Sequence, residues 1–408
     1  MKTFLKYIYV IELLLFSGSV CLSVLYPKLC LIIWEFTALL LILACKEKIL
    51  EYNKNVIIAI VSWILIVQFI TTTSDFDNKY LTYILFPLGS IALSQFSFND
   101  LRYKLLSALS WLCVFSIIAQ VGYDFLNLPA KIVYDSNSGQ SWTMIFGVFN
   151  VNWGGESLDT KLHRMSSIYW EPGEFQIVCF YVLCLFADKL TTFTSIKSID
   201  KRFWPILVSI LYSQSTMGYL VLALFIAMII LFRKTEKKSI KNYILTFIIL
   251  LISIIGVYAL TQSSVVQDKL EQREYTQYDN SYNIRMIDNI SCLNATLDSP
   301  IFGYGINTDE LNSRLLSLGN HTASNGWLLT SASLGIPFII LLFYLMYKRL
   351  KKFKSNIPRV FLMAILIIAQ CNEASIFFPY IYLYIFKTND KKKCCSVSSP
   401  SASIVKKQ

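Results

Sequence analysis

The chain has 408 residues, of which 55% are hydrophobic and only 15% charged. The apolar residues come in long blocks, not in the periodic scatter of a soluble core, which excludes an ordinary globular enzyme and points to a polytopic membrane protein. The net charge of +11 is no nucleic-acid footprint, because basic residues do not interleave with aromatics in a soluble domain, so no nucleic-acid partner is expected.

In chain order, the first apolar block runs from Leu5 to Tyr26 behind Lys2 and Lys6. It is longer than the apolar core of a signal peptide and further blocks follow, so it reads as the first membrane helix. Val20 precedes Cys21 where a lipoprotein signal needs a small residue, which argues against a lipid anchor. Further apolar segments fall near 29–45, 56–73, 80–94, 103–123, 167–187, 203–232, 243–262, 326–347 and 360–386. The ten cysteines form no CxxC pair, so neither a disulfide framework nor a metal site is implied.

The lysine and arginine bias orients these segments. With the N-terminus in the cytoplasm, the interior receives Lys46, Lys48 and Lys54, then Arg102 and Lys104, then Lys189, Lys197, Lys201 and Arg202. The alternation breaks at 203–232 and at 360–386, each flanked by basic loops on both sides. Folding each block into a hairpin repairs it, with "SQSTMG" (213–218) and "CNEAS" (371–375) as outer tips. Each arm of the first hairpin is then shorter than the ~20 residues of a full span. The expected fold is all-α, with about 12 transmembrane helices, both termini cytoplasmic and two large external loops. The parts are N-terminal helices at 1–123, external loop 1 at 124–165, central helices at 166–262, external loop 2 at 263–325, C-terminal helices at 326–387 and a tail at 388–408. By this assignment 28 of the 37 Lys and Arg residues face the cytoplasm.

The residues suited to chemistry sit outside, next to the membrane. In "HRMSSIYWEPGEF" (163–175) a helix starting at Pro172 and ending near Ala187 has a proline where its missing N–H costs nothing. Such a helix rises ~24 Å, less than the ~30 Å hydrocarbon core. "SSIYW" is therefore expected at membrane depth in non-helical form, which is tolerated only where protein or a wet cavity surrounds it. Glu171 then heads a broken helix, either facing a cavity or in an ion pair with Arg164. The second loop carries Arg285, a Gly-x-Gly at Gly303 and Gly305 that allows close approach to a ligand or to other backbone, and His321 and Asn325 just before the next span. His163 and His321 are the only histidines, similarly placed, and invite acid–base chemistry. External arginines are scarce (164, 273, 285 and 314), and a guanidinium there suits a lipid head group or lipid pyrophosphate. Glu12, Glu35 and Glu373 lie within apolar blocks, where a carboxylate turns to the bundle interior.

Together these features resemble the O-antigen polymerase (Wzy-type) family of the O-antigen polymerase/ligase superfamily. The matching pieces are "RMSSIYWEPGEF", "SQSTMG" and Arg285 followed by "SPIFGYG" and "HTASNGWL". The resemblance implies a GT-C-like membrane glycosyltransferase of the bacterial cytoplasmic (inner) membrane, using no metal and no cofactor. It would polymerise undecaprenyl-pyrophosphate-linked oligosaccharide units into surface polysaccharide, an O-antigen or capsule, at the outer face, with a chain-length regulator as a further partner. On that reading Glu171 or His321 takes the acceptor proton, while Arg164, Arg285, Asn325, Gly303 and Gly305 bind substrate. The related ligases place a histidine closer to the asparagine that opens the following helix, whereas here Ser324 precedes Asn325. An O-antigen ligase, or a secondary transporter or flippase, stays open as the alternative.

Overall fold

The computed structural model describes residues 1–71, 80–135, 140–153, 163–192, 198–233, 244, 248, 251, 281–306, 308–319, 325–353, 355–371, 373 and 377–389. Most of the span expected at 243–262, part of external loop 2, His321 and the tail from 390 lie outside the described residues.

The N-terminal third is a run of apolar helices: α1 (Lys2–Leu15), α2 (Pro27–Cys45), α3 (Glu51–Thr71), α4 (Tyr80–Gly89) and α5 (Phe98–Leu126). Pro27 opens α2 in its first turn, and Ser97 caps α5 by accepting from the Asp100 amide, both ordinary start signals. Ile32, Phe36, Leu39 and Leu43 on α2, and Trp111, Phe115 and Ile118 on α5, are exposed. Their spacing of three and four residues makes apolar stripes, which a soluble protein would bury and a bilayer covers.

The first expected span is not continuous. α1 stops at Leu15, Gly18 takes φ +101°, and a short π-helical turn covers Val20–Val24. The cause is pairing with the segment 163–170, which is not helical. The Val20 amide donates to the Ile168 carbonyl (2.9 Å) and the Trp170 amide to the Gly18 carbonyl (3.3 Å). Irregular backbone in one segment is thus satisfied by irregular backbone in the other.

The segment expected as external loop 1 departs from the all-α expectation. It contains a three-stranded antiparallel sheet of β1 (Lys131–Tyr134), β2 (Ser141–Ile145) and β3 (Phe149–Trp153), with Tyr134 opposite Ser141 and Ile145 opposite Phe149. β-Branched and aromatic residues in short runs favour strands. Ile145 and Val151 pack with Ala119 of α5, while Trp142 and Met144 pack with Val20.

At the centre stands α6 (Pro172–Cys184), and all 13 of its residues are buried. It ends three residues short of the expected Ala187, followed by a short helix, α7 (Ala187–Leu190). The block 203–232 divides into α8 (Phe203–Tyr212) and α9 (Thr216–Leu231), broken at Ser213–Ser215. Next come α10 (Ser281–Asp298), α11 (Asp309–Ser317), α12 (Gly326–Leu334), α13 (Ile336–Leu350) and α14 (Arg359–Gln370).

The count of about 12 spans is not confirmed. Among the described residues three helices are long and apolar enough to cross a membrane, Pro27–Cys45, Glu51–Thr71 and Phe98–Leu126, while α6, α8, α9 and α14 are apolar but shorter. The expected returning arm after α14 is a 3-10 helix over Pro379–Tyr384, six residues and all buried. At ~2 Å per residue it rises only ~12 Å, and Pro379 removes a helical donor at its start.

The intramembrane carboxylates Glu12 and Glu35 both turn inward. Thr37 donates to Glu12 at 2.8 Å, and the Gly89 amide donates to Glu35 at 3.0 Å. Gly89 also lets α4 meet α2, since a Cβ there would fall 2.2 Å from Nε1 of the buried Trp34. Gly89→Ala should therefore destabilise the detergent-solubilised protein by about 1–3 kcal/mol. An unchanged unfolding temperature would show that Trp34 moves aside freely.

Candidate functional site

The first turn of α6 organises the site. Glu171 holds the N-cap position with extended backbone (φ −148°, ψ 162°), and Pro172 follows as the first helical residue. Gly173 has a specific reason to lack a side chain: a Cβ there would fall 2.1 Å from Oε1 of Glu373 and 3.4 Å from Oε1 of Glu171. The glycine of Glu-Pro-Gly thus leaves room for a carboxyl group that arrives from residue 373, two hundred positions further along the chain. Glu174, fully buried, packs its Cγ against Gly18 at the break in the first span. Three carboxyl groups consequently gather at a helix N-terminus, where the helix dipole favours negative charge.

Glu373 belongs to the turn beyond α14, outside the membrane-crossing segments, and is 6% exposed. Burial first, then the charge and hydrogen bond of Glu171 and the charge of Glu174, hold its carboxyl well above the ordinary carboxylate range, while Arg285 pulls the other way. Arg285, half-buried near the start of α10, therefore acts on this carboxyl group across 88 residues of sequence.

The same turn ties in Asn325. Its Oδ1 accepts from the amides of Trp327 (3.1 Å) and Leu328 (3.3 Å), capping α12, and its side chain also reaches the Cys371 thiol. The Gly326 amide donates to the Glu373 carbonyl at 2.8 Å. Asn325 is thereby a capping residue that fixes the backbone carrying Glu373.

Gly303 and Gly305, with φ of +65° and +83°, meet protein backbone. The amides of Tyr304 and Gly305 donate to the carbonyls of Ala332 and Ser333 at 2.9 Å each, and a Cβ on Gly303 would fall 2.5 Å from the Ala332 carbonyl oxygen. Their left-handed conformation suits glycine, and of the two uses open to them from the sequence they serve backbone-to-backbone approach.

Arg164 lies on a neighbouring wall. It is half-buried and within electrostatic range of Tyr219 in α9. The adjoining Gly218 abuts Gln176 on the second turn of α6, and Gln176 donates to Ser213 at 2.6 Å. Arg285 is thus linked to the first turn of α6 through Glu373, and Arg164 to its second turn through α9. His321 lies outside the described residues.

His163 is held away from bulk solvent. Its Nδ1 is 2.8 Å from Oδ1 of Asp124, whose side chain is fully buried, and the Tyr212 hydroxyl donates to the other Asp124 oxygen at 3.0 Å. The sequence reading missed Asp124, Tyr212 and Glu174. For Glu174 a signal existed, a carboxylate in an apolar helix three residues after Glu171, whereas nothing local pairs Asp124 with a histidine 39 residues on. Among the described residues no group of three or more His, Cys, Asp or Glu side chains is placed to hold a metal ion.

Residues 203–343 match the family model described as O-antigen ligase. This stretch is less than half of the chain. It takes in Arg285, Gly303, Gly305 and Asn325 and leaves out Arg164, Glu171 and Glu373. The match supports the O-antigen ligase and polymerase superfamily and does not separate the two activities. No curated protein sequence matches the chain. Together with the apolar helices, the family-model match supports a membrane protein of O-antigen-type polysaccharide biosynthesis.

Two substitutions separate the role of this site from the stability of its surroundings. Gly173→Ala should displace the Glu373 carboxyl and lower surface glycan at least about tenfold with normal protein level in the membrane. Unchanged glycan would mean that Glu373 has room to retreat. Asp124→Ala should cost about 1–3 kcal/mol, because buried His163 and Gln120 and half-buried Tyr212 lose an acceptor. Thermal unfolding of the solubilised protein reads it, and full stability would contradict the buried network.

Proposed function

We propose that this chain polymerises lipid-pyrophosphate-linked oligosaccharide units at the outer face of the cytoplasmic membrane. The observation that carries the reading is the convergence of Arg285 with Glu171 and Glu373 at the first turn of a wholly buried helix. A glycosyl transfer from a lipid pyrophosphate needs a cation for the leaving group and a base for the attacking hydroxyl. Arg285 and Arg164 would hold pyrophosphate charge as it develops, using the planar fork of the guanidinium. Glu171, at the helix mouth, would accept the proton. His321 is the second candidate for that base, on sequence grounds alone. Undecaprenyl pyrophosphate is the carrier that the resemblance implies, and a chain-length regulator is the protein partner it implies.

Ligase activity is the second reading, favoured by the description of the family model that matches residues 203–343. The two differ in what loss of the protein leaves behind. A missing polymerase leaves surface lipid bearing a single repeat unit, and this is the expected outcome. Surface lipid without any repeat, with long polymer stranded on its carrier, would assign the chain as a ligase.

The arginines are tested separately. Arg164→Lys and Arg285→Lys keep the charge and lose the bidentate fork, so each should reduce polymer by about tenfold or more at normal protein level. Normal polymer length from both variants would remove the clamp from the mechanism.

A further inference from the structure

The carboxyl groups of Glu171 and Glu373 come from elements far apart in sequence and occupy adjoining positions on the first turn of α6. Two ionised carboxylates cannot sit so close in a buried place, since each raises the cost of the other's charge. Among the described residues the charged groups that act on Glu373 are Glu171 and Glu174 at the start of α6 and Arg285 from α10, two carboxyls and one guanidinium. Among the described residues one guanidinium faces three crowded carboxyls, and a proton on one of them lowers the cost of that crowding. Independently, Oε1 of Glu373 has no hydrogen-bond partner among the described residues although Glu373 is more than nine-tenths buried. That oxygen points at the gap left by Gly173.

We infer that Glu373 is the protonated partner of Glu171: the two carboxyls hold one proton between them, and Glu373 donates a hydrogen bond that keeps Glu171 ionised and oriented as the base for an incoming sugar hydroxyl. This rests on reading the site as a glycosyl-transfer centre. In the step it serves, the acceptor oxygen bonds to the anomeric carbon and the bond from that carbon to pyrophosphate breaks. The electron pair leaves with the pyrophosphate, and the hydroxyl proton passes to Glu171. Glu373 keeps its own proton throughout, so it is a positioning residue and Glu171 the catalytic one. The glycine of Glu-Pro-Gly is required because the proton-sharing partner lies where a side chain would be.

The test has a spectroscopic arm and a cellular arm. In infrared difference spectra of the full-length solubilised protein at neutral pH, wild type against Glu373→Gln should show loss of one protonated-carboxyl carbonyl band, and wild type against Glu171→Gln a shift of that band without its loss. Absence of that band from both differences overturns the shared proton. In cells lacking the gene, Glu373→Gln should restore surface polymer to within about threefold, because an amide N–H donates as a protonated carboxyl does. Glu373→Ala should lower it about tenfold or more at normal protein level, and Glu171→Gln should abolish it. Equal loss in the Gln and Ala variants overturns the positioning role and makes Glu373 itself the base. Full polymer from Glu171→Gln overturns the function reading and the role of Glu373 in it, a failure that the infrared band distinguishes from absence of the shared proton.

Discussion

Burying the mouth of α6 is the constraint on which the rest of this molecule depends. All 13 residues of the helix are buried, so its unpaired amides have no water to turn to and its acidic end must be accommodated by protein. The surrounding segments look arranged to do that. The first span opens at Gly18 to make room for Glu174, the turn beyond α14 delivers Glu373 onto Gly173, and Asn325 fixes that turn from the other side.

A buried acidic cluster of this kind is expensive, and its persistence needs compensation. A helix dipole, a guanidinium and a shared proton each lower the cost. The same devices suit a site that binds a pyrophosphate. Arginine presents two parallel donors to phosphate oxygens, and carboxyl groups away from water keep a base close to where the hydroxyl arrives. The match of residues 203–343 to an O-antigen ligase model supports the ligase and polymerase superfamily from which the proposed substrate is taken. It does so without covering Arg164, Glu171 or Glu373, so the residues at the mouth of α6 are argued from geometry.

Irregular backbone is the second theme. Segment 163–170 and the opened first span satisfy one another's hydrogen bonds, and the Gly303–Gly305 turn is satisfied by the end of α12. Non-helical chain can exist among apolar helices only under such pairing. The three-stranded sheet closes over this region, with Trp142 and Met144 on Val20 and with Asn150 donating to the carbonyls of Tyr169 and Trp170 at 3.0 and 3.2 Å. The sheet therefore supports the chain that leads from His163 to Glu171.

By itself the sequence determined the membrane class, because block hydrophobicity is a property of composition along the chain. It also determined the helix start at Pro172, the break near Ser213 and the non-helical character of "SSIYW", each written in local residues such as Pro, Gly and Ser. The tertiary structure decided what local pattern cannot carry. The split of the first span depends on strand-like pairing with residues 150 positions away, and the three-stranded sheet depends on strands finding each other across turns. The short 3-10 arm at Pro379–Tyr384 replaces an expected span because its neighbours bury it. Glu373 illustrates the division best: an acidic residue among apolar ones was visible in the sequence, but its place beside Glu171 follows only from the approach of two elements at a glycine, a distance that no spacing along one chain encodes.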